Sequence, residues 1–142
     1  MVSTRSGRFH AAGAASGVAL VLSEPLSFWG GVDVDTGTII DHSHPDLGRT
    51  IAGTILVMPG GRGSSSSSSV LAEVIRRGTG PAGLLLGRPD PILTVGAIVA
   101  HVLYGLHCPI VVCAIEGIAS GDRVSIAPAD TGDALIDVAA QA

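Results

Sequence analysis

Short apolar segments, each bounded by glycine or another turn residue, run through the sequence and restrict the folds open to it. Six of them are predicted to be strands, at residues 17–22, 38–41, 54–58, 82–86, 109–115 and 123–126. Most are apolar at consecutive positions, which is typical of strands covered on both faces of a sheet. Two helical patterns lie between them, an amphipathic one at residues 70–77 and an almost wholly apolar one at residues 93–104, which we expect to be buried. Strands that alternate with helices predict an α/β domain.

The length of the chain, 142 residues, is enough for one domain. Only 14% of the residues are charged, against about 25% in an average soluble domain. This composition excludes disorder and indicates a large buried surface. We therefore expect residues 1–142 to form a single domain, in which residues 129–142, rich in alanine and aspartate, are a loosely held tail.

The charged residues exclude several classes of function. The net charge is −4, and all eight basic residues are arginines. Mechanisms that need a lysine, such as a Schiff base or a P-loop, are therefore excluded. A nucleic-acid partner is not expected either, because phosphate binding needs clustered cations.

We expect neither a membrane-spanning segment nor a secretion signal. The longest apolar run, residues 92–106, contains Thr94 and His101 and is shorter than the roughly 18 residues that span a bilayer. Residues 11–22 imitate a signal peptide, but a Ser-Glu-Pro sequence follows them where a small-residue cleavage site would lie, so we interpret them as a strand and its approach. The two cysteines are too few for a disulfide framework, and the cytoplasm is the expected location.

A glycine-rich turn followed by six serines, Ser64 to Ser69, stands between a predicted strand and a predicted helix. A serine run by itself is usually a flexible linker. Between two such elements, the alternative is a turn that feeds a helix N-terminus, where free N–H groups bind an anion. The loop has neither the lysine of a P-loop nor a G-x-G-x-x-G pattern. Arg62 would then bind a carboxylate or phosphate, and Ser64 suits a general base.

A second candidate site lies between residues 23 and 46. Phe28 and Trp29 stand beside a glycine pair in a loop, a place where functional residues are common. The structural alternative is that Trp29 anchors the loop on the core and Asp33 caps a turn. His42 and His44 are two residues apart, but such a pair in a loop is a weak sign of a metal, and we expect no metal site in this chain.

Several motifs, in the order in which they occur here, resemble the small subunit of the aconitase X enzymes. The resemblance spans roughly residues 7 to 127. Its motifs are Ser23-Glu24-Pro25-Leu26-Ser27-Phe28-Trp29-Gly30-Gly31-Val32-Asp33, Thr36-Gly37-x-Ile39-Ile40-Asp41, His44-Pro45, Gly63-Ser64-Ser65-Ser66-Ser67, Pro81-Ala82, Asp90-x-Ile92, Gly96-Ala97 and Cys108-Pro109. A series of ordered motifs is far more specific than any single loop.

The resemblance implies a swivelling β/β/α domain, equivalent to the mobile fourth domain of aconitase, which closes over a larger catalytic subunit. That subunit would carry an iron–sulfur cluster, and no cofactor is expected on this chain alone. The enzymes of the family are hydro-lyases, or dehydratases. By comparison with the swivel loop of aconitase, Ser64 would be the base. The other residues expected to bind a small carboxylate substrate are Arg62, Gly63, Ser65, Ser66, Phe28, Trp29 and Gly30.

The resemblance also implies two possible substrates. Some members of the family dehydrate cis-3-hydroxy-L-proline to a pyrroline-2-carboxylate, and others dehydrate mevalonate 5-phosphate. The polyserine loop and the Phe28-Trp29 pair favour the hydroxyproline enzymes, and the small subunit of a mevalonate 5-phosphate dehydratase is the alternative. A non-catalytic module in which the same loop only binds an anion stays open as well.

Overall fold

The computed structural model describes residues 2–141, which form seven strands and three helices. In chain order these are β1 (Val2–Ala11), β2 (Ala15–Val21), α1 (Phe28–Gly31), β3 (Ile55–Met58), α2 (Ser67–Arg77), β4 (Gly83–Leu86), α3 (Pro91–Tyr104), β5 (Ile110–Val112), β6 (Arg123–Pro128) and β7 (Ala134–Ala139). The strands follow one another around a closed barrel in the order β1-β5-β4-β3-β2-β6-β7. The predicted α/β class is confirmed.

The barrel has a parallel side and an antiparallel side. Strands β2, β3, β4 and β5 run parallel to one another, whereas β6, β7 and β1 pair antiparallel with their neighbours. β1 pairs with β7 along residues 2–7 and with β5 from Arg8 onward, so it passes from one side of the barrel to the other. At this corner a Cβ on Gly7 would lie 2.6 Å from Val111 Cγ1, so a residue without a side chain is needed for the strands to approach so closely.

Two hydrophobic clusters cover the parallel strands on opposite faces. On β3, Leu56 and Met58 belong to the cluster that includes the inner sides of α2 and α3, while Ile55 and Val57 pack inside the barrel with β6 and β7 residues such as Ile136. All four β3 side chains are fully buried. The prediction that consecutive apolar residues mark strands covered on both faces is therefore confirmed.

Three segments differ from the sequence predictions. The strand predicted at residues 38–41 is wrong: Thr38 and Ile39 make only isolated bridges in a loop, and Ile39 is apolar because the loop packs it into the core. The expectation that the second helix is buried is also wrong, since only the side of α3 that carries its small residues faces the core and Val102 is 72% exposed. The segment 129–142, expected to be a loosely held tail, contains β7, which pairs with both β1 and β6.

The helices are short relative to the thickness of a bilayer. The longest helix of the described residues, α3, has 14 residues. Between residues 2 and 141, no helix combines the length and the apolar character that crossing a membrane requires.

Candidate functional site

The serine run forms the entrance of α2. The Oγ of Ser64 accepts a hydrogen bond from the N–H of Ser66 at 3.1 Å, and its carbonyl oxygen accepts one from the N–H of Ser67 at 3.0 Å. The interpretation of the run as a flexible linker is wrong, because Ser67 already belongs to the helix and is buried. The turn that feeds the helix needs Gly63, whose φ of +104° lies in the left-handed region that favours glycine.

Ser64 faces a cavity between the first turns of two helices. The cavity has a volume of about 220 Å³. Its lining comes from the serine loop and from the start of α3: Gly61, Arg62, Gly63, Ser64, Ser67, Pro89, Asp90, Pro91, Ile92 and Leu93. The N-terminus of α2 carries partial positive charge, which together with Arg62 favours a negatively charged ligand, whereas the N-terminus of α3 is already capped by the Asp90 carboxylate.

Asp90 joins the two sides of this cavity. One of its carboxylate oxygens caps α3 by accepting from the N–H of Leu93 at 3.0 Å, and the other accepts from the N–H of Gly61 at 3.1 Å. A further link is the hydroxyl of Ser68, which donates to the carbonyl of Ile92 at 2.6 Å. No role for Asp90 was predicted from the sequence, although an aspartate directly before a proline and an apolar helix is a recognisable capping pattern.

The aromatic loop packs against the serine loop. The N–H of Trp29 donates to the Oγ of Ser67 at 3.1 Å, and a side chain on Gly63 would collide with the hydroxyl of Ser27. Phe28 is 1% exposed and lies in the core, whereas Trp29 is 59% exposed. The alternative in which Trp29 anchors the loop is therefore wrong, because Phe28 is the anchor and the indole is at the surface.

The second part of that alternative, in which Asp33 caps a turn, is confirmed. Its carboxylate accepts from the N–H of Asp35 at 2.8 Å. The neighbouring Gly30 has a φ of +76° and open space around its Cα, so this part of the loop offers backbone rather than side chain to the surface.

The Arg62 guanidinium lines the cavity and is 55% exposed. Its Nη2 lies 3.6 Å from Oδ2 of Asp41, a separation at which an exposed pair is held weakly. Hydrogen bonds from the hydroxyl and N–H of Ser43 lower the pKa of Asp41, with smaller contributions from Arg62 and His44. Asp41 is therefore ionised and holds Arg62 near the cavity without enclosing it. The hydroxyl-bearing residues Ser65 and Ser66 are exposed on the same turn.

His42 and His44 do not form a metal pair. His44 is buried, with Nδ1 accepting from the N–H of Asp46 at 3.0 Å and Nε2 lying 3.2 Å from the carbonyl oxygen of Glu24. The first contact leaves the proton on Nε2, which donates to Glu24, so both ring nitrogens are used in holding two loops together. His42 is exposed.

Ligation of an iron–sulfur cluster needs several cysteine thiolates, and the two cysteines of this chain do not fit such a site. Cys108 lies in the hydrophobic cluster under the helices, and Cys113 lies in the hydrophobic cluster inside the barrel, so the two thiols are on opposite faces of the sheet. Burial raises the pKa of Cys108 to about 12, so its thiol stays protonated. Among residues 2–141, no group of three or more histidine, cysteine, aspartate or glutamate side chains is placed to hold a metal ion.

Comparison with known proteins gives consistent similarities. The family model described as Aconitase X swivel domain matches residues 4–134. The chain is 52% identical over 99 residues to the cis-3-hydroxy-L-proline dehydratase of Pseudomonas aeruginosa, a match that covers 70% of this chain and 17% of that protein. It is 43% identical over 109 residues to the phosphomevalonate dehydratase small subunit of Methanopyrus kandleri. That match covers 77% of this chain and 79% of the M. kandleri protein.

A solved structure has the same fold. The crystal structure of Thermococcus kodakaraensis aconitase X in its holo-form is similar to this chain with a TM-score of 0.82 and 32% sequence identity. The match covers 94% of this chain and 98% of that one. The chain thus spans most of the M. kandleri relative but only 17% of the P. aeruginosa relative.

Proposed function

Because this chain belongs to the aconitase X swivel domain family, we propose that it is the small subunit of a hydro-lyase that dehydrates a small hydroxy acid. The relatives named as dehydratases support this activity. A large catalytic subunit supplies the rest of the enzyme, in line with the name of the M. kandleri relative and with the greater length of the P. aeruginosa relative. The observation that carries the proposal is the Oγ of Ser64, hydrogen-bonded at the entrance of α2 beside a cavity.

Ser64 is the base in this proposal. Dehydration breaks a C–H and a C–O bond, forms a C=C bond and releases water. The proton next to the substrate carboxylate passes to the Oγ of Ser64 in its deprotonated form. The N–H of Ser66 and the positive end of α2 favour that negative charge, because both place partial positive charge beside the oxygen.

Arg62 and the backbone of the serine turn bind the substrate carboxylate. The loosely held Arg62–Asp41 pair leaves the guanidinium free to turn toward an anion in the cavity. Gly63 and Ser65 contribute N–H donors from the same turn, and Ser65 and Ser66 contribute hydroxyl donors, since the N–H of Ser66 is already bonded to Ser64. Beside the turn, Trp29 and Gly30 form an exposed edge that a bound substrate can contact, while Phe28 acts from the core by holding that edge in place.

An iron–sulfur cluster, the cofactor expected for these enzymes, belongs to the large subunit in this proposal. The separation of Cys108 and Cys113 on opposite faces of the sheet supports that division. This chain therefore contributes proton transfer and substrate binding. A cytoplasmic location stays a prediction from the cysteine content.

We propose cis-3-hydroxy-L-proline as the substrate. The 52% identity to the P. aeruginosa dehydratase supports this choice over the 43% identity to the M. kandleri small subunit. Phosphomevalonate is the second candidate, supported by the 43% identity over 109 residues to the M. kandleri small subunit. Turnover of each compound by the assembled enzyme, followed by NMR of the products, distinguishes the two.

The test of the function is Ser64→Ala in the assembled enzyme. We expect turnover to fall at least about hundredfold, the usual contribution of a general base, because the proton acceptor is lost. Size-exclusion chromatography should show an intact complex, since the substitution leaves the backbone bonds of the turn in place. Steady-state kinetics with cis-3-hydroxy-L-proline measures the loss.

Ser69→Ala is the matched control. Ser69 is an exposed serine of the same run, within the first turn of α2. We expect its turnover to stay within about twofold of wild type, since its hydroxyl does not line the cavity. Near wild-type turnover in Ser64→Ala would contradict the assignment. Tight binding of inorganic phosphate by the chain alone, together with an assembled complex that dehydrates neither compound, would identify an anion-binding module instead.

A further inference from the structure

Helix α3 carries its large apolar side chains toward solvent. Its core side consists mainly of small residues, with Gly96, Ala97 and Ala100 buried against α2 and the sheet. We define the outer face of α3 as the five aliphatic residues that are between 36% and 72% exposed, Val95, Ile98, Val99, Val102 and Leu103. Their spacing is i, i+3, i+4, i+7 and i+8, the pattern of a helix stripe that is normally buried.

The packing of α3 fixes this orientation. A Cβ on Gly96 would lie 2.6 Å from the carbonyl oxygen of Ser68, so the two helices approach closely at this point and a larger residue does not fit between them. The bond from Ser68 to Ile92 and the cap at Asp90 hold the start of α3 in place. The helix therefore cannot rotate to bury its outer face within this chain.

The outer face also lacks the charges of an ordinary surface helix. No charged residue occurs between positions 91 and 104, and the titratable rings of α3 are those of His101 and Tyr104. Single exposed apolar residues are normal in soluble proteins, but a contiguous stripe of five marks an interaction surface. Since the face offers no charge to pair, its partner must present an apolar surface.

We propose that the outer face of α3 is the surface through which this chain binds the large subunit of the dehydratase, an inference that rests on the proposed function. The residues at the start of α3, Pro91 to Leu93, line the cavity that contains Ser64. A polypeptide that completes the site over this cavity therefore lies next to Val95, one turn along the helix. A small subunit that is a separate chain is not covalently linked to its partner. Its stable association therefore depends on burial of apolar surface, which the outer face of α3 provides.

The test is Leu103→Asp in the full chain. Leu103 is 65% exposed, so the change leaves the core intact while it places a charge within the outer face, near its C-terminal end. The binding partner is the polypeptide of the same organism that corresponds to the part of the P. aeruginosa dehydratase outside its match with this chain. We expect the Kd for that partner, measured by biolayer interferometry, to rise at least about tenfold, as at a buried interface position.

Leu135→Asp is the matched control. Leu135 is 37% exposed on β7, in the antiparallel part of the barrel away from the helices, and we expect its Kd to stay within about twofold of wild type. Thermal unfolding followed by circular dichroism checks that both variants are folded. In the turnover assay, Leu103→Asp should raise the concentration of this chain needed for half-maximal rate and leave kcat at saturation nearly unchanged.

Three results overturn the proposal. Wild-type affinity in Leu103→Asp contradicts the docking face and leaves the proposed function standing. A wild-type chain that does not bind the large polypeptide overturns both. Self-association of the chain that Leu103→Asp abolishes, with binding to the large polypeptide unchanged, identifies a contact between two copies instead. A fourth result separates the two proposals. If Leu103→Asp loses binding while the wild-type complex dehydrates neither candidate substrate, the docking face is supported and the proposed function is contradicted.

Discussion

At the scale of single residues, the candidate site depends on side chains that hold the serine loop rather than on the reacting hydroxyl alone. Ser67 fixes the loop to the aromatic segment through the N–H of Trp29, and Asp90 fixes it to α3 through the N–H of Gly61. Both anchors are hydrogen bonds to backbone groups, so they set the path of the chain and not only the position of one side chain. The geometry at Ser64 therefore follows from residues on three separate segments.

Replacement of Asp90 by alanine tests this anchoring. Asp90→Ala removes the cap of α3 and leaves the N–H groups of Leu93 and Gly61 without their acceptor. We expect the free energy of unfolding to fall by about 1 kcal/mol, the usual cost of a lost N-cap. Urea unfolding followed by circular dichroism measures it. Asp133→Ala is the control, since that exposed carboxylate makes no hydrogen bond or ion pair within residues 2–141, and an equal loss in both variants would refute the anchoring role.

At the scale of elements, α2 carries a charged outer edge that contrasts with the apolar outer face of α3. The carboxylate of Glu73 accepts from Arg76 Nε at 2.6 Å and from Arg77 Nε at 3.0 Å. These hydrogen bonds, first from Arg76 and then from Arg77, lower the pKa of Glu73 from 4.5 to about 2. The two helices thus have opposite surface chemistry, and only α3 requires a cover.

The ion pairs of α2 predict a pH dependence. Because the pKa of Glu73 is lower in the folded state, its pairs stabilise the fold above about pH 4.5, and this contribution is lost as the pH falls toward 2. Glu73→Gln should therefore lose less stability than wild type between those pH values, as measured by thermal unfolding. The difference should be small and should shrink in 1 M NaCl, since the groups are exposed.

Glu24→Gln is the control for that experiment. The Glu24 side chain is exposed and makes no hydrogen bond or ion pair with the residues that the structure describes. Its unfolding should follow the wild-type pH profile. If Glu73→Gln also follows that profile, the ion pairs do not contribute to the stability of α2.

Elements with one dominant environment were predictable from the sequence, and those with a mixed environment were not. Within the predicted strands 54–58 and 82–86, residues 55–58 and 82–86 are apolar at every position because the sheet is covered on both faces, and the structure confirms strands there. β1 was missed because half of its residues are exposed and most are polar, so it lacks an apolar pattern and its pairing depends on distant strands. The serine run was predicted to lead into a helix, but the start of that helix was placed at residue 70. The structure begins it at Ser67, because a run of serines has the composition of a linker and gives no helical pattern.

At the scale of the whole molecule, closure of the barrel depends on the two ends of the chain. β7 lies between β1 and β6 and contributes three buried residues, Ala134, Ile136 and Val138. The sequence did not predict a strand in this segment, because its acidic and alanine residues obscure the alternation of buried and exposed positions that marks a strand. The parallel strands that carry the serine loop are therefore enclosed only when residues far apart in the sequence have paired.

Truncation after Pro128 tests the closure. Removal of β7 leaves residues 2–7 of β1 and one edge of β6 without a partner strand and exposes the barrel core, and burial of an isoleucine or valine contributes about 1.5–3 kcal/mol each. Since whole domains are stable by only about 5–15 kcal/mol, we expect no cooperative thermal transition. A chain truncated after Ala140 retains β7 and should unfold like wild type. A cooperative transition in the shorter chain would show that β7 is dispensable.

The links from the serine turn to its neighbours have a consequence for catalysis. Since Ser67 and Asp90 hold the turn on both flanks, the Oγ of Ser64, the proposed base, has a fixed position relative to the barrel and moves only together with it. In the proposed complex, substrate would enter and product would leave when the whole domain moves relative to the large subunit. Under that proposal, we expect the rate of this rigid-body motion, rather than a local rearrangement of the loop, to limit turnover.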